Sequence, residues 1–171
     1  MDLRLEAIVL HNSLHGCLTL RGTGTGILEA KLAQQLAHLE QMPFFGIFIN
    51  LRKAFDAMDR GHCLEILALH GVGPKMLCLI CNFWDLATNV CQAKGNYGRP
   101  FKAGRGVTQG GPLLAKLFNI VVNAVVQEWM RLMRARIEDA DGNLAKCIAG
   151  LFAVFYVNDG YIASRDAEFL Q

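Results

Sequence analysis

The stretch FYVNDGYIAS, residues 155–164, decides how the rest of the chain is read. Its apolar and aromatic residues flank Asn158, Asp159 and Gly160, and this spacing predicts two short strands joined there, with a lone carboxylate at the bend. Taken alone, Asn-Asp-Gly is a favoured hairpin turn. A second short apolar run, FFGIFINL, follows the helix breaker Pro43 and places Asn50 at the end of a buried strand. If the two strands lie side by side, their ends form one small oxygen cluster on a rigid sheet. That cluster is mostly amide.

Working outward, ILEAKLAQQLAHLEQ spaces Ile27, Leu28, Leu32, Leu36 and Leu39 as one helix face, after a flexible GTGTG at residues 22–26. A helix starts near Arg60 with Asp59 as its N-cap and Gly71 as its stop. Pro74 opens another, with Leu77, Ile80, Trp84 and Ala87 on one face. TNVCQAKGNYGRPFKAG reads as a hairpin about Gly95, Asn96, Tyr97 and Gly98. A long helix after Pro112 sets Leu117, Val121, Val125 and Trp129 against Lys116, Asn119, Asn123 and Gln127. The order is an α+β pattern with an antiparallel component.

At 171 residues and 53% hydrophobic content, the chain suits one core of ordinary size. The apolar stretch Cys147 to Val157 is too short to span a bilayer and the start lacks a secretory signal, so the expectation is a soluble, intracellular protein without a membrane partner. A net charge of +2 falls short of a strongly basic nucleic-acid binder, so such a function must rest on local patches. The six cysteines, including Cys78 and Cys81 in CLIC, lack paired zinc-ligand spacing and read as reduced core thiols. The five histidines show no metal spacing either.

Four stretches in order resemble the palm and part of the fingers of a reverse transcriptase, especially the non-long-terminal-repeat retroelement and group II intron types. FFGIFINLRKAFDAMDR is similar to the first palm motif, GVTQGGPLLAKLFN to the second, and FAVFYVNDGYIAS to the Tyr-x-Asp-Asp hairpin. LHGCLTLRGTGTG is a fainter likeness to a fingers segment. The resemblance implies a palm-like antiparallel sheet packed on helices, with part of the fingers (residues 1–42), a palm (residues 43–171) ending shortly after its third motif, and no thumb. It implies template-directed addition of deoxynucleotides to a primer 3′-hydroxyl, with RNA template, DNA primer and deoxynucleoside triphosphate as partners. Two Mg²⁺ ions held by three aspartates drive that reaction.

Carried onto this chain, the aspartate positions are Asn50, Asn158 and Asp159. An amide keeps a carbonyl oxygen but loses the charge on which a hard dication depends, so the resemblance implies weakened metal binding and impaired catalysis. Asp56 matches a second, non-metal aspartate and Phe55 an aromatic side chain set against the nucleotide sugar; a buried phenylalanine after a strand is the plainer alternative. Gln109 and Gly110 match the loop that shapes the nucleotide pocket, whereas Leu114 and Ala115 depart from the family Ser-Pro. Lys94, Arg99, Lys102 and Arg105 around Tyr97 and Phe101 form a pattern suited to nucleic acid, or to solubility alone. Asn50, Asn158 and Leu114 each lie one C-to-T or G-to-A transition from the family residue, as in a decaying retroelement copy. A non-catalytic nucleic-acid-binding remnant and a relic without function remain the alternatives.

Overall fold

The computed structural model describes residues 8, 10–107, 112–138, 152–165, 167 and 170, with the side chains of residues 112 and 134–138 left aside. The chain runs α1 (Thr23–Leu39), β1 (Phe45–Asn50), α2 (Ala54–Ala57), α3 (Arg60–Leu69), α4 (Pro74–Leu86), β2 (Gln92–Ala93), β3 (Asn96–Tyr97), α5 (Pro112–Glu138), β4 (Phe152–Tyr156) and β5 (Asp159–Ser164). It divides into two compact units: Leu10–Arg52 with Val122–Gln171, and Met1–Val9 with Lys53–Val121.

The first unit is built on a three-stranded antiparallel sheet in the order β1-β5-β4. Tyr156 pairs with Asp159, so the two-residue turn is Val157–Asn158, while Asp159 and Gly160 already belong to β5. The bend therefore lies one to two residues before its expected place. Packing explains the shift: Gly160 is opposite Phe155, and a Cβ on it would come within 2.7 Å of the Phe155 ring. The glycine serves a close approach inside the strand rather than the turn. Beyond β4, Leu14 bridges to Phe155, with Phe155 N–H donating to the Ser13 carbonyl at 2.7 Å and His15 N–H to the Phe155 carbonyl at 2.8 Å.

α1 packs on β4 by a stripe of small residues, Gly26, Ala30, Ala33 and Ala37, of which Gly26 and Ala37 are buried. The leucines expected to face the core lie on the opposite side, and Leu28, Leu32, Leu36 and Leu39 are all exposed. Close approach to the sheet selects small side chains, because the site next to Val154 and His15 has no room for a Cβ at Gly26. Nor is GTGTG a separate flexible linker. Gly22 caps the helix and Thr25 ties back to it, accepting from the Gly22 N–H at 2.9 Å and donating to its carbonyl at 2.8 Å. β1 is likewise more open than expected, with Phe45, Ile47 and Phe48 exposed at the edge of the sheet.

In the second unit, α3 and α4 follow expectation. Asp59 Oδ1 accepts the His62 N–H at 3.0 Å, Gly71 follows the end of α3, and Pro74 opens α4, whose Ile80 and Trp84 are buried. The β2–β3 turn is Lys94–Gly95, both with positive φ (48° and 80°), so Asn96 and Tyr97 are strand residues rather than turn residues. The ribbon continues through Asn89 and Phe101, which exchange two backbone hydrogen bonds of 2.9 Å.

α5 runs through both units and departs from its expected faces: Asn119 and Asn123 are buried and Val125 is exposed. Asn123 is held inward because its Oδ1 accepts the His11 N–H at 2.7 Å, replacing water lost on burial. Leu113–Met133 is apolar and long enough to cross a membrane by length and composition, longer than the stretch at residues 147–157. Leu114, Leu117, Phe118, Ile120, Val122 and Val126 bury one side of it inside the protein. The cysteines are not all core thiols: Cys63 is buried, but Cys17, Cys78 and Cys91 are exposed, and Cys147 lies outside the described residues.

Candidate functional site

The end of the first unit's sheet brings together the positions singled out by sequence. Asn50 on β1 lies opposite Asp159 on β5, and Asp159 lies opposite Tyr156 on β4. The Asn50 Nδ2 amide donates to Asp159 Oδ1 at 2.5 Å. Asn158 occupies the adjoining turn, and its carbonyl accepts the Leu51 N–H at 2.8 Å, which ties the hairpin to the end of β1. Ahead of it, Val157 is held at φ 56°, a left-handed conformation that a β-branched residue adopts only under strain.

The electrostatics follow from this donor set. Asp159 contributes one negative charge, and Asn50 faces it with an N–H, the end of the amide that complements a carboxylate. The amide N–H cannot ligate a cation, and it takes up one of the lone pairs of the Asp159 carboxylate. No cluster of three or more His, Cys, Asp or Glu side chains able to hold a metal exists among the described residues. The described donor set at this end of the sheet is one carboxylate and two amides, less negative charge than a pair of hard dications calls for. Asp59 is engaged in capping α3, and its carboxyl is held below the usual range first by the His62 backbone N–H and then by the charges of His62 and Arg105.

Strand alternation puts Phe48, Tyr156 and Tyr161 on the same face of the sheet as Asp159. The Phe48 and Tyr161 ring centroids are 4.8 Å apart, and burial pushes the Tyr161 phenol up from its ordinary pKa. Between this face and α1 lies a cavity of about 440 Å³, lined by Phe48, Val154, Tyr156, Asp159 and Tyr161 from the sheet and by Ile27 and Lys31 from the helix, among others. These aromatic residues were missed in the sequence. Counting alternate positions back from Asn50 and around Asp159 would have found them.

Phe55 lies in the second unit, half-buried with its ring centroid 4.4 Å from that of Phe118. Gln109 and Gly110 lie outside the described residues. Lys94, Tyr97, Arg99, Lys102 and Arg105 are all exposed. Lys102 has a local partner, its Nζ donating to the Asp85 carbonyl at 2.8 Å at the end of α4. Arg60, not singled out by sequence, sits over the Trp84 ring and donates through Nε to the Gly106 carbonyl at 2.8 Å. It thereby holds the segment that carries Arg105.

Helices with an antiparallel sheet define an α+β fold, and comparison with solved structures identifies its type. The structure is similar to that of an apo telomerase from Candida tropicalis truncated from its C-terminal domain, with a TM-score of 0.68 and 16% identity. The likeness covers 98% of this chain and 33% of that one, so this chain spans about a third of the telomerase's length. At that identity the likeness is one of fold alone: this chain shares the fold of the matching third of that telomerase. No family model and no curated protein matches the sequence.

Proposed function

We propose that the chain is a partial reverse transcriptase domain of the non-long-terminal-repeat retroelement or group II intron type, with fingers sequence in residues 1–42 and palm in residues 43–171. Its ancestral reaction is RNA-templated DNA synthesis, and its Mg²⁺ binding and catalysis are impaired. The observation that carries this reading is the Asn50 amide donating to the Asp159 carboxylate at the end of the sheet. A hydrogen-bond donor there balances the lone acid without a metal. Removal of one transition-state donor typically costs about 10²–10³ in rate, and two lost acids should cost more.

The test is primer extension on an RNA template with Mg²⁺ or Mn²⁺, comparing the chain with the Asn50→Asp, Asn158→Asp double variant. The unaltered chain is expected to add no nucleotides above background. Clear extension by it would overturn the impairment.

A second reading, a non-catalytic nucleic-acid-binding remnant, is favoured by one observation: Tyr97 projects from the β2–β3 ribbon with 73% of its surface exposed, flanked by exposed Lys94 and Arg99. An exposed ring among cations suits base stacking beside phosphates. Binding to an RNA–DNA hybrid at low salt, weakened by added salt and by Tyr97→Ala, is the expected result. No binding at low salt eliminates this reading. The remaining possibility, a relic without function, is left standing only if both assays are negative.

A further inference from the structure

α4 carries Cys78 and Cys81 three positions apart, so both thiols rise from one helix face, together with Asn82 and Asp85. The two sulfurs have opposite partners. Exposed Cys78 accepts from the Asn82 Nδ2 amide at 3.7 Å. Cys81 is less exposed, and its S–H donates to Asp85 Oδ2 at 3.7 Å, which places a proton acceptor beside it. Burial, the Asp85 carboxylate and neighbouring Cys78 hold the Cys81 thiol above its ordinary pKa. The exposed sulfur is thus the one a disulfide in solution reaches first, and the other lies behind it beside a proton acceptor.

We propose that Cys78 and Cys81 form a redox dithiol that exchanges with small-molecule disulfides of the glutathione class. The Cys78 thiol loses its proton to solvent, and the thiolate attacks one sulfur of oxidised glutathione. A Cys78–glutathione bond forms, the original disulfide breaks, and the first glutathione thiolate leaves and takes a proton from solvent. Cys81 then passes its proton to Asp85, and its sulfur attacks Cys78 Sγ. The mixed disulfide breaks, and the second glutathione thiolate leaves and recovers the proton from Asp85. Two electrons pass from the protein dithiol to the glutathione disulfide, giving one protein disulfide and two glutathiones.

Helix geometry makes this bond a labile one. Residues three apart have Cα atoms about 5 Å apart, inside the range a disulfide spans, but their Cβ atoms, about 5–6 Å apart, exceed the usual separation of about 4 Å. Closure must draw one turn of α4 inward, and a strained, exposed disulfide is readily reduced again. The proposal does not depend on the polymerase reading.

The test exposes the full chain to buffered mixtures of reduced and oxidised glutathione, quenches with acid and N-ethylmaleimide, and maps the peptides by mass. The expected result is a Cys78–Cys81 link lighter by two hydrogens and reversed by dithiothreitol. Cys81→Ser is expected to stop at a stable single glutathione adduct on Cys78, and Asp85→Asn to prolong that adduct in the otherwise unaltered chain by about tenfold or more. The wild-type arm needs no variant to fold, and far-UV circular dichroism checks helix content in the others. A wild-type Cys78 adduct that never closes overturns the dithiol. Closure in Asp85→Asn at the wild-type rate overturns the role of Asp85.

Discussion

Position 50 faces a carboxylate with an amide, and that pairing sets the chemistry of the sheet's end. Replacing Asn50 by Asp exchanges a charge-assisted hydrogen bond for two like charges on paired strands, at a cost of about 2 kcal/mol. A lower Tm in EDTA, partly restored by millimolar Mn²⁺, is the expected outcome in a thermal melt; an unchanged Tm would show that the Asn50–Asp159 bond contributes nothing. Gly106 offers a second residue-scale test. It sits at φ +78°, and a Cβ would lie 2.7 Å from both Cα and O of Asp56, backbone atoms that cannot swing aside. Gly106→Ala should therefore cost about 3 kcal/mol or more in urea unfolding. Of these positions, Asn50 was legible because a strand end followed by a motif marks it. Gly106 stood out only as the first residue of GVTQGGPLLAKLFN, since its close partner comes from a segment some fifty residues earlier in the chain.

Single elements were legible where local chemistry decides them. The Asp59 cap and Pro74 start of α3 and α4 stand as read, because capping satisfies backbone groups within a few residues of the signal. The cap also gives a pH test. The folded-state pKa of Asp59 is depressed, so its contribution is present above the unfolded carboxylate value of 3.8 and is lost as pH falls through the lower folded value. Asp59→Ala should lower Tm at pH 7, and the gap from wild type should narrow in melts taken below that value. α1 shows where periodicity misleads. Its leucine spacing correctly gives a helix, but the buried side is the alanine and glycine stripe. Accordingly, Leu32→Gln should change stability by no more than about 0.5 kcal/mol, whereas Ala37→Leu, at a site only 3% exposed, should cost about 1–3 kcal/mol. Equal effects of the two would contradict this assignment of faces.

At the scale of the whole molecule, burial sorts the cysteines in a way composition cannot. Cys63 has no exposed surface, and desolvation pushes its thiol up to about 12. With Ellman's reagent at pH 8, Cys17 and Cys91 are expected to react in the native protein and Cys63 only after urea unfolding, which makes its reactivity a probe of the second unit's core. Rapid native labelling of Cys63 would show that the α3 core opens without global unfolding.

The sequence by itself determined the main helices and strands, the starts of α3 and α4, and the identity of the residues at the end of β1 and in the β4–β5 hairpin. These depend on periodicity, turn chemistry and motif order, all carried by neighbours in the chain. Tertiary structure alone decided which side of α1 faces the sheet, where the β4–β5 turn falls, and that Asn50 donates to Asp159. Each of those outcomes rests on contact between residues distant in sequence: a close helix–sheet approach, an aromatic ring over Gly160, and a register that sets position 50 opposite position 159. FYVNDGYIAS carries the acid, but only the sheet supplies the amide that answers it, because cross-strand neighbours are set by pairing and not by chain order.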